Sequence, residues 1–150
     1  SQISKYGVSE VIQINKIPTQ NIGPGQVLVK EKAAGVNPVD WKIREGYMQQ
    51  MAPLKLPATL GGDFSGTVME TGKDVSEIKK GDDVYGTAIV LAGGSGSFAE
   101  FISANTGSIA PKPKNASYLE AAALPLVGVS AIQALMEHMK LSKGQRILIH

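Results

Sequence analysis

The chain has 150 residues, is 43% hydrophobic and 19% charged, and carries a formal net charge of +2; this fits one globular domain, or one domain with a piece of another, and its small basic clusters (Lys79-Lys80, Lys112-Pro113-Lys114) make no nucleic-acid footprint. It contains no cysteine, which removes disulfides, thiolate catalysis and cysteine-based zinc sites, and its two histidines, His138 and His150, are too few for a histidine-rich metal site. No apolar run approaches the roughly 20 residues that span a bilayer, and the amino terminus has no apolar signal core, so a cytoplasmic protein without membrane contact is expected.

In chain order, residues 1–36 read as β structure. Ile12 and Ile14 alternate with Gln13 and Asn15, the pattern of a half-buried strand. Asn21-Ile22-Gly23-Pro24-Gly25 is a turn, and Val27-Leu28-Val29 opens a strand that runs towards Val36. At Gly35-Val36-Asn37-Pro38 the strand becomes a helix over about 38–45, with Gly46 as its stop. Asn37 is a good amino cap, Pro38 suits the first helical position, and Asp40 complements the helix dipole. These roles account for all three residues without a ligand. A strand-to-helix junction is equally a place where polar groups are presented to one.

Residues 47–60 read as an irregular loop, followed by Leu60-Gly61-Gly62-Asp63-Phe64-Ser65-Gly66 and a strand at 67–70. Thr71–Asp74 and Lys80–Asp83 are turns, 84–91 is a strand, and 92–97 is a mobile glycine-serine loop before a strand at 98–104. Gly93-Gly94-Ser95-Gly96-Ser97 is followed by a strand pattern and lacks the Gly-Lys-Ser/Thr ending of a P-loop, so it reads as a hairpin loop rather than a phosphate cradle. Many short strands with glycine-rich turns indicate a barrel or sandwich. After Pro111 the character changes. Ser117–Glu120 fits a capping box, Pro125 can start a second helix, and Val129, Ile132, Met136 and Met139 recur at helical spacing. Arg146–His150 has the pattern of a buried strand.

Among the candidate functional side chains, Asp63 reads either as a turn aspartate bonding nearby amides or as a group orienting a substrate. Tyr47 reads either as a surface loop tyrosine or as a pocket phenol. Ser130, inside an apolar helix, reads most simply as a hydroxyl bonded to a carbonyl one turn earlier.

Gly35–Gly46, Leu60–Val68, Lys80–Gly86, Gly96–Glu100 and Ala121–Leu135 together resemble, in order and over nearly the whole chain, the zinc-free quinone oxidoreductase branch of the medium-chain dehydrogenase/reductase superfamily. The resemblance implies a mainly β fold with α: a GroES-like β-barrel catalytic domain over residues 1–115, then the first helices and strand of a truncated Rossmann cofactor-binding domain over residues 116–150. It implies that these 150 residues are a fragment of a longer oxidoreductase, inactive alone, because in the family the strand resembled by Arg146–His150 runs directly into the glycine-rich pyrophosphate turn. Zinc-dependent relatives place a cysteine ligand near Asn37 and Gly-His-Glu where this chain has Gly61-Gly62-Asp63, so no metal is expected. The implied reaction is hydride transfer from NADPH, or NADH, to a small-molecule quinone or α,β-unsaturated carbonyl. By resemblance, Asn37, Pro38, Val127 and Ser130 contact the cofactor. Asp40, Tyr47 and Asp63 form the catalytic pocket, with Tyr47 donating to a developing oxyanion. A homodimer is expected for the full-length protein. The alternatives are an enoyl-thioester reductase of the same superfamily and a non-catalytic member that binds a cofactor or partner.

Overall fold

A computed structural model describes residues 1–150. Its centre is a five-stranded antiparallel sheet in the order β7-β3-β5-β6-β8, formed by β3 (Gln26–Ala34), β5 (Asp63–Thr71), β6 (Asp83–Thr87), β7 (Phe101–Asn105) and β8 (Ile109–Pro111). Alternation places one face of each strand inward. Val27 and Val29 of β3, Phe64 and Val68 of β5, Val84 of β6, and Ile102 and Ala104 of β7 thus share one core with Ala88. A smaller three-stranded sheet, β2-β1-β4, joins β1 (Gln2–Ile3), β2 (Ile12–Gln13) and β4 (Ala58–Thr59). Its Ile3 packs with Ile43 of helix α1 (Pro38–Arg44) and with Leu60 in a second apolar cluster. Helices α2 (Tyr118–Ala122) and α3 (Pro125–Ile132) follow, and Gln133–His138 continues as one wider, π-type turn.

The turns lie where glycine and proline predict them. Gly25, Gly81 and Asp74 all have positive φ, and Gly46 ends the α1 segment at φ +85°. Ser117 caps α2, its hydroxyl accepting from the Glu120 N–H at 3.2 Å while the Glu120 carboxylate accepts from the Ser117 N–H at 2.8 Å.

Five expectations are corrected. Ile14 is 86% exposed and β2 is only two residues long, because β2 pairs with β1 alone and no layer covers its outer face. The strand expected at 67–70 begins at Asp63, since cross-strand partners on both β3 and β6 outweigh the low strand propensity of its Gly-Asp-Phe-Ser-Gly entry. The strand expected at 84–91 ends at Thr87, where its pairing with β5 runs out, and a 3₁₀ turn occupies Val90–Ala92. The 92–97 loop is packed: Ser95 and Ser97 are buried, the Gly96 N–H bonds the Ala88 carbonyl at 2.8 Å, and a Cβ on Gly96 would collide with the Thr59 carbonyl. Gly94 and Gly96 allow close backbone approach, and Gly93 and Gly96 adopt positive φ. Finally, Arg146–His150 forms no strand, and Leu148 and Ile149 are 78% and 77% exposed. An apolar run becomes a buried strand only beside partner strands and covering layers, and the chain supplies neither to this segment.

Glu31, on β3, carries an unexpected titration. Burial pushes its carboxyl up to about 7, against the opposing pull of the Ala99 N–H and the Ser1 ammonium, and its Oε2 is buried with no partner. A carboxyl raised on folding keeps its proton in the native state after the unfolded chain has lost it. Its contribution to stability is therefore fully present below about pH 4.5 and is lost as pH rises through about 7. Glu31→Gln is expected to gain about 1 kcal/mol over wild type at pH 8, once solvent screening of this half-buried group is allowed for, and close to nothing at pH 4.5. Urea unfolding at the two pH values measures this difference, and a pH-independent difference would count against it.

Candidate functional site

The end of β3, the start of β5 and the start of α3 meet at one point, and each sequence device there has a visible job. Gly35 lets the strands close on α2: its N–H bonds the Asp63 carbonyl at 2.9 Å, and a Cβ on it would lie 2.5 Å from the Ala122 carbonyl oxygen and 2.9 Å from the Asp63 Cβ. No real side chain fits those distances. Asn37, in an extended conformation, then turns the chain into α1, with Pro38 exposed at its first position. The Asp40 carboxylate reaches back, its Oδ2 accepting from the Asn37 N–H at 2.7 Å. The side chain of Asn37 donates from Nδ2 to Asp63 Oδ2 at 2.9 Å. The same Asp63 oxygen accepts the Leu126 N–H at 3.0 Å, one of the unpaired donors at the start of α3. Asp63 thus ties α1 and α3 to the sheet, the Leu126 donor lying 63 residues further along the chain.

Both carboxylates are almost fully buried, Asp40 at 5% and Asp63 at 3% exposure. Burial raises both pKa values above the ordinary carboxylate range. The Asn37 N–H offsets this for Asp40, while the nearby Asp63 charge adds to it; for Asp63 the Leu126 N–H and the Asn37 amide offset it. One oxygen remains unsatisfied: Asp40 Oδ1 is buried and has no hydrogen-bond partner.

A pocket of about 220 Å³ opens beside this cluster, with Asn37, Asp40, Trp41, Val36, Leu60 and Phe98 in its wall. A larger depression of about 510 Å³ lies around Glu77, Asp82, Asp83 and Lys112, remote from the junction and lined largely by charged groups at the sheet edge.

The expected site residues fall into three groups. Asn37, Asp40 and Asp63 come together, with Pro38 at their edge. Val127 follows the bonded Leu126 and is 53% exposed. Ser130, on the next turn, donates to the Leu126 carbonyl at 2.7 Å, the one-turn back-bond of a helical serine. Tyr47 stands apart. Gly46 turns the chain away, leaving Tyr47 68% exposed and outside the pocket wall, with its ring edge-on to Trp41 at 5.4 Å. Trp41, Phe98 and Leu60 were not singled out by sequence reasoning. Trp41, the only tryptophan, sits one position after Asp40 on the same amphipathic turn; Leu60 and Phe98 are joined to it only by the fold.

The donor set bears on metal and cofactor fit. No three His, Asp or Glu side chains stand close enough to share a metal ion, and Asp63 Oδ2 and Asp40 Oδ2 are each taken by N–H donors. By contrast, Val36 and Val127, the chain neighbours of Asn37 and Leu126 in the Asn37–Asp63–Leu126 bridge, are 80% and 53% exposed. Exposed apolar side chains next in sequence to a fixed amide are compatible with a flat ring of the nicotinamide type.

The family model described as the alcohol dehydrogenase GroES-like domain matches residues 23–114. The chain is 36% identical over 169 residues to the human "NAD(P)H oxidoreductase RTN4IP1, mitochondrial", covering 98% of this chain and 41% of that protein. It is 38% identical over 149 residues to the tomato (Solanum lycopersicum) "2-methylene-furan-3-one reductase", covering 96% of this chain and 38% of that protein. The solved quinone oxidoreductase from Coxiella burnetii superposes with a TM-score of 0.84 at 34% identity, over 95% of this chain and 45% of that one. The chain thus spans about two fifths of the length of the curated relatives it matches. With the family model covering more than half of its residues and the same fold in a solved relative, the chain belongs to the alcohol dehydrogenase GroES-like family of the medium-chain dehydrogenases/reductases.

Proposed function

We propose that the protein carrying this chain is an NADPH-dependent, zinc-independent reductase of quinones or α,β-unsaturated carbonyl compounds. The observation that carries this reading is the junction itself. Asn37, Asp40 and Asp63 form one buried hydrogen-bonded cluster beside a small, mostly apolar pocket, and no three His, Asp or Glu side chains stand close enough there to share a metal ion. Conjugated acceptors suit such a site. Their charge spreads over several atoms as hydride arrives, so less Lewis-acid help is needed than for a simple ketone. The human relative is named for NAD(P)H and the tomato relative for an enone, which supports the same class.

In this reading, residues 1–115 act as the catalytic domain and residues 116–150 begin the cofactor domain. The bound nicotinamide supplies a hydride. Asn37, Pro38, Val127 and Ser130 hold its ring face, while Asp63 locks the helices that position them. Alignment of ring and acceptor at about 3–3.5 Å is then the main catalytic contribution of the fold. Tyr47 acts on the acceptor only through Trp41, whose ring it braces. The enzyme works as a homodimer in the cytoplasm.

The test is NADPH oxidation by the complete protein against a panel of 1,4-benzoquinone, small enones, enoyl thioesters and saturated ketones. Turnover with quinones or enones and none with saturated ketones is expected. Treatment with a zinc chelator is expected to leave the rate within twofold. Loss of activity on chelation, restored by Zn²⁺, would overturn the metal-free part. A preference for enoyl thioesters would move the protein to that neighbouring class.

A further inference from the structure

One face of β5 carries a row of polar side chains of which Asp63 is only the first. Along Asp63-Phe64-Ser65-Gly66-Thr67-Val68, successive side chains point to opposite faces. Phe64 and Val68 enter the core, and Asp63, Ser65 and Thr67 share the other face. A strand that alternates in this way ordinarily turns its polar face to water. Here Asp63 and Ser65 are buried, at 3% and 0% exposure. They are covered because α2 packs against β3, β5 and β6, with its Ala121 and Ala122 buried.

Each member of the row meets the helical segment, in reverse chain order. Asp63 Oδ2 accepts from the Leu126 N–H at 3.0 Å. The Ser65 hydroxyl donates to the Tyr118 carbonyl at 2.6 Å. Thr67 donates to Asp83 of β6 at 2.9 Å, and the Tyr118 hydroxyl, 3.3 Å from Thr67 Oγ1, bonds to this pair. Lys112 closes the far end: its ammonium donates to the Ala116 carbonyl at 2.6 Å and lies 5.2 Å from the centre of the Tyr118 ring. An apolar face would hold the helices as closely but would let them slide. Hydrogen bonds between fixed partners admit one placement.

We propose that Asp63, Ser65 and Thr67 form a docking strip that sets the distance and direction of α3 relative to Asn37, which makes Ser65 and Tyr118 positioning residues for hydride transfer. This role rests on the reductase reading above, in which Val127 and Ser130 of α3 hold the nicotinamide. Asp63 ties the Leu126 N–H and the Asn37 amide to one oxygen, which fixes a point. A helix held at one point still swings about it. The contacts at Tyr118, the first residue of α2, fix its direction. Between α2 and α3, the N–H groups of Ala123 and Leu124 bond the Glu120 and Ala121 carbonyls at 3.2 Å each, which couples the two helices. A swing of α3 would move Val127 and Ser130 relative to Asn37, and a misplacement of about 1 Å can cost about 100-fold in rate.

The test uses the complete protein with its Ser65→Ala and Tyr118→Phe variants. Hydride transfer from NADPH to 1,4-benzoquinone is followed in single turnovers, and NADPH affinity by fluorescence titration without acceptor. Ser65→Ala is expected to slow hydride transfer about tenfold and Tyr118→Phe about threefold, with NADPH affinity close to wild type in both. Wild-type transfer rates in the variants overturn the proposal, whatever stability they lose, since a purely structural contact gives that result. Affinity lost in the same proportion as rate marks a binding contact rather than alignment, and overturns it too. If the wild type binds NADPH but reduces no quinone or enone, the reductase reading fails. The fluorescence lifetime of bound NADPH, which reports the surroundings of its ring, then decides the strip: a shift in the variants retains it, and an unchanged lifetime overturns it. No NADPH binding by the wild type overturns both. Should Ser65→Ala not fold, Tyr118→Phe decides by the same readings.

Discussion

Asp63→Ala is expected to cost about 3 kcal/mol of stability, because it strips the acceptor from two donors at once and each buried unpaired donor costs about 1–3 kcal/mol. The Asn37 amide at 2.9 Å and the Leu126 N–H at 3.0 Å both lose their partner inside a site where Asp63 is 3% exposed. The effect is also local. Leu126 begins α3, and its bond to Asp63 is the polar tie of that helix to β5. Hydrogen exchange at the Leu126 amide is therefore expected to accelerate more than exchange in β3 or β7. Asp63→Asn leaves an oxygen for both donors and removes a buried charge, so its cost is expected to stay near 1 kcal/mol or below. Equal losses for the alanine and asparagine variants in urea unfolding would show that the two hydrogen bonds are not what Asp63 contributes.

Phe64→Ala is expected to destabilise by about 3–5 kcal/mol, the range for removing a buried phenylalanine ring. Phe64 is the largest fully buried side chain, at 0% exposure. It sits on β5 between β3 and β6, opposite Ala34 and Gly86, and these small partners leave the ring to fill the core. Phe64→Leu, which keeps most of the apolar volume, is expected to lose less than half as much. A thermal-unfolding midpoint within 2 °C of wild type would be inconsistent with the packing described.

What could be read in the sequence was local. The cap at Asn37, the proline at the first helical position, Asp40 three residues on, the stop at Gly46 and the Ser117–Glu120 box are all set by interactions within four residues. A chain segment carries that information whatever its surroundings. The strand starting at Asp63 and the packed 92–97 loop were less legible, because each depends on partners far along the chain: β3 and β6 for the first, Thr59 and Ala88 for the second. The alternation at Ile12–Asn15 and the apolar run at 146–150 show the converse. Their patterns ask for a covering layer, and these residues have none, so Ile14, Leu148 and Ile149 stand exposed. The same holds for Val129, Ile132, Met136 and Met139, which recur at helical spacing yet are each more than half exposed.

The junction at Gly35–Gly46 divides along the same line. By itself the sequence determined a capped turn from strand to helix, within a match to the alcohol dehydrogenase GroES-like domain over residues 23–114. Only the tertiary structure decided that the Asn37 side chain faces Asp63, that Asp63 also holds Leu126, and that one Asp40 oxygen is buried beside an apolar pocket with no partner. Capping is a contact between near neighbours and is written in their spacing. Which oxygen is left unpaired depends on distant segments closing around it, and no spacing records that.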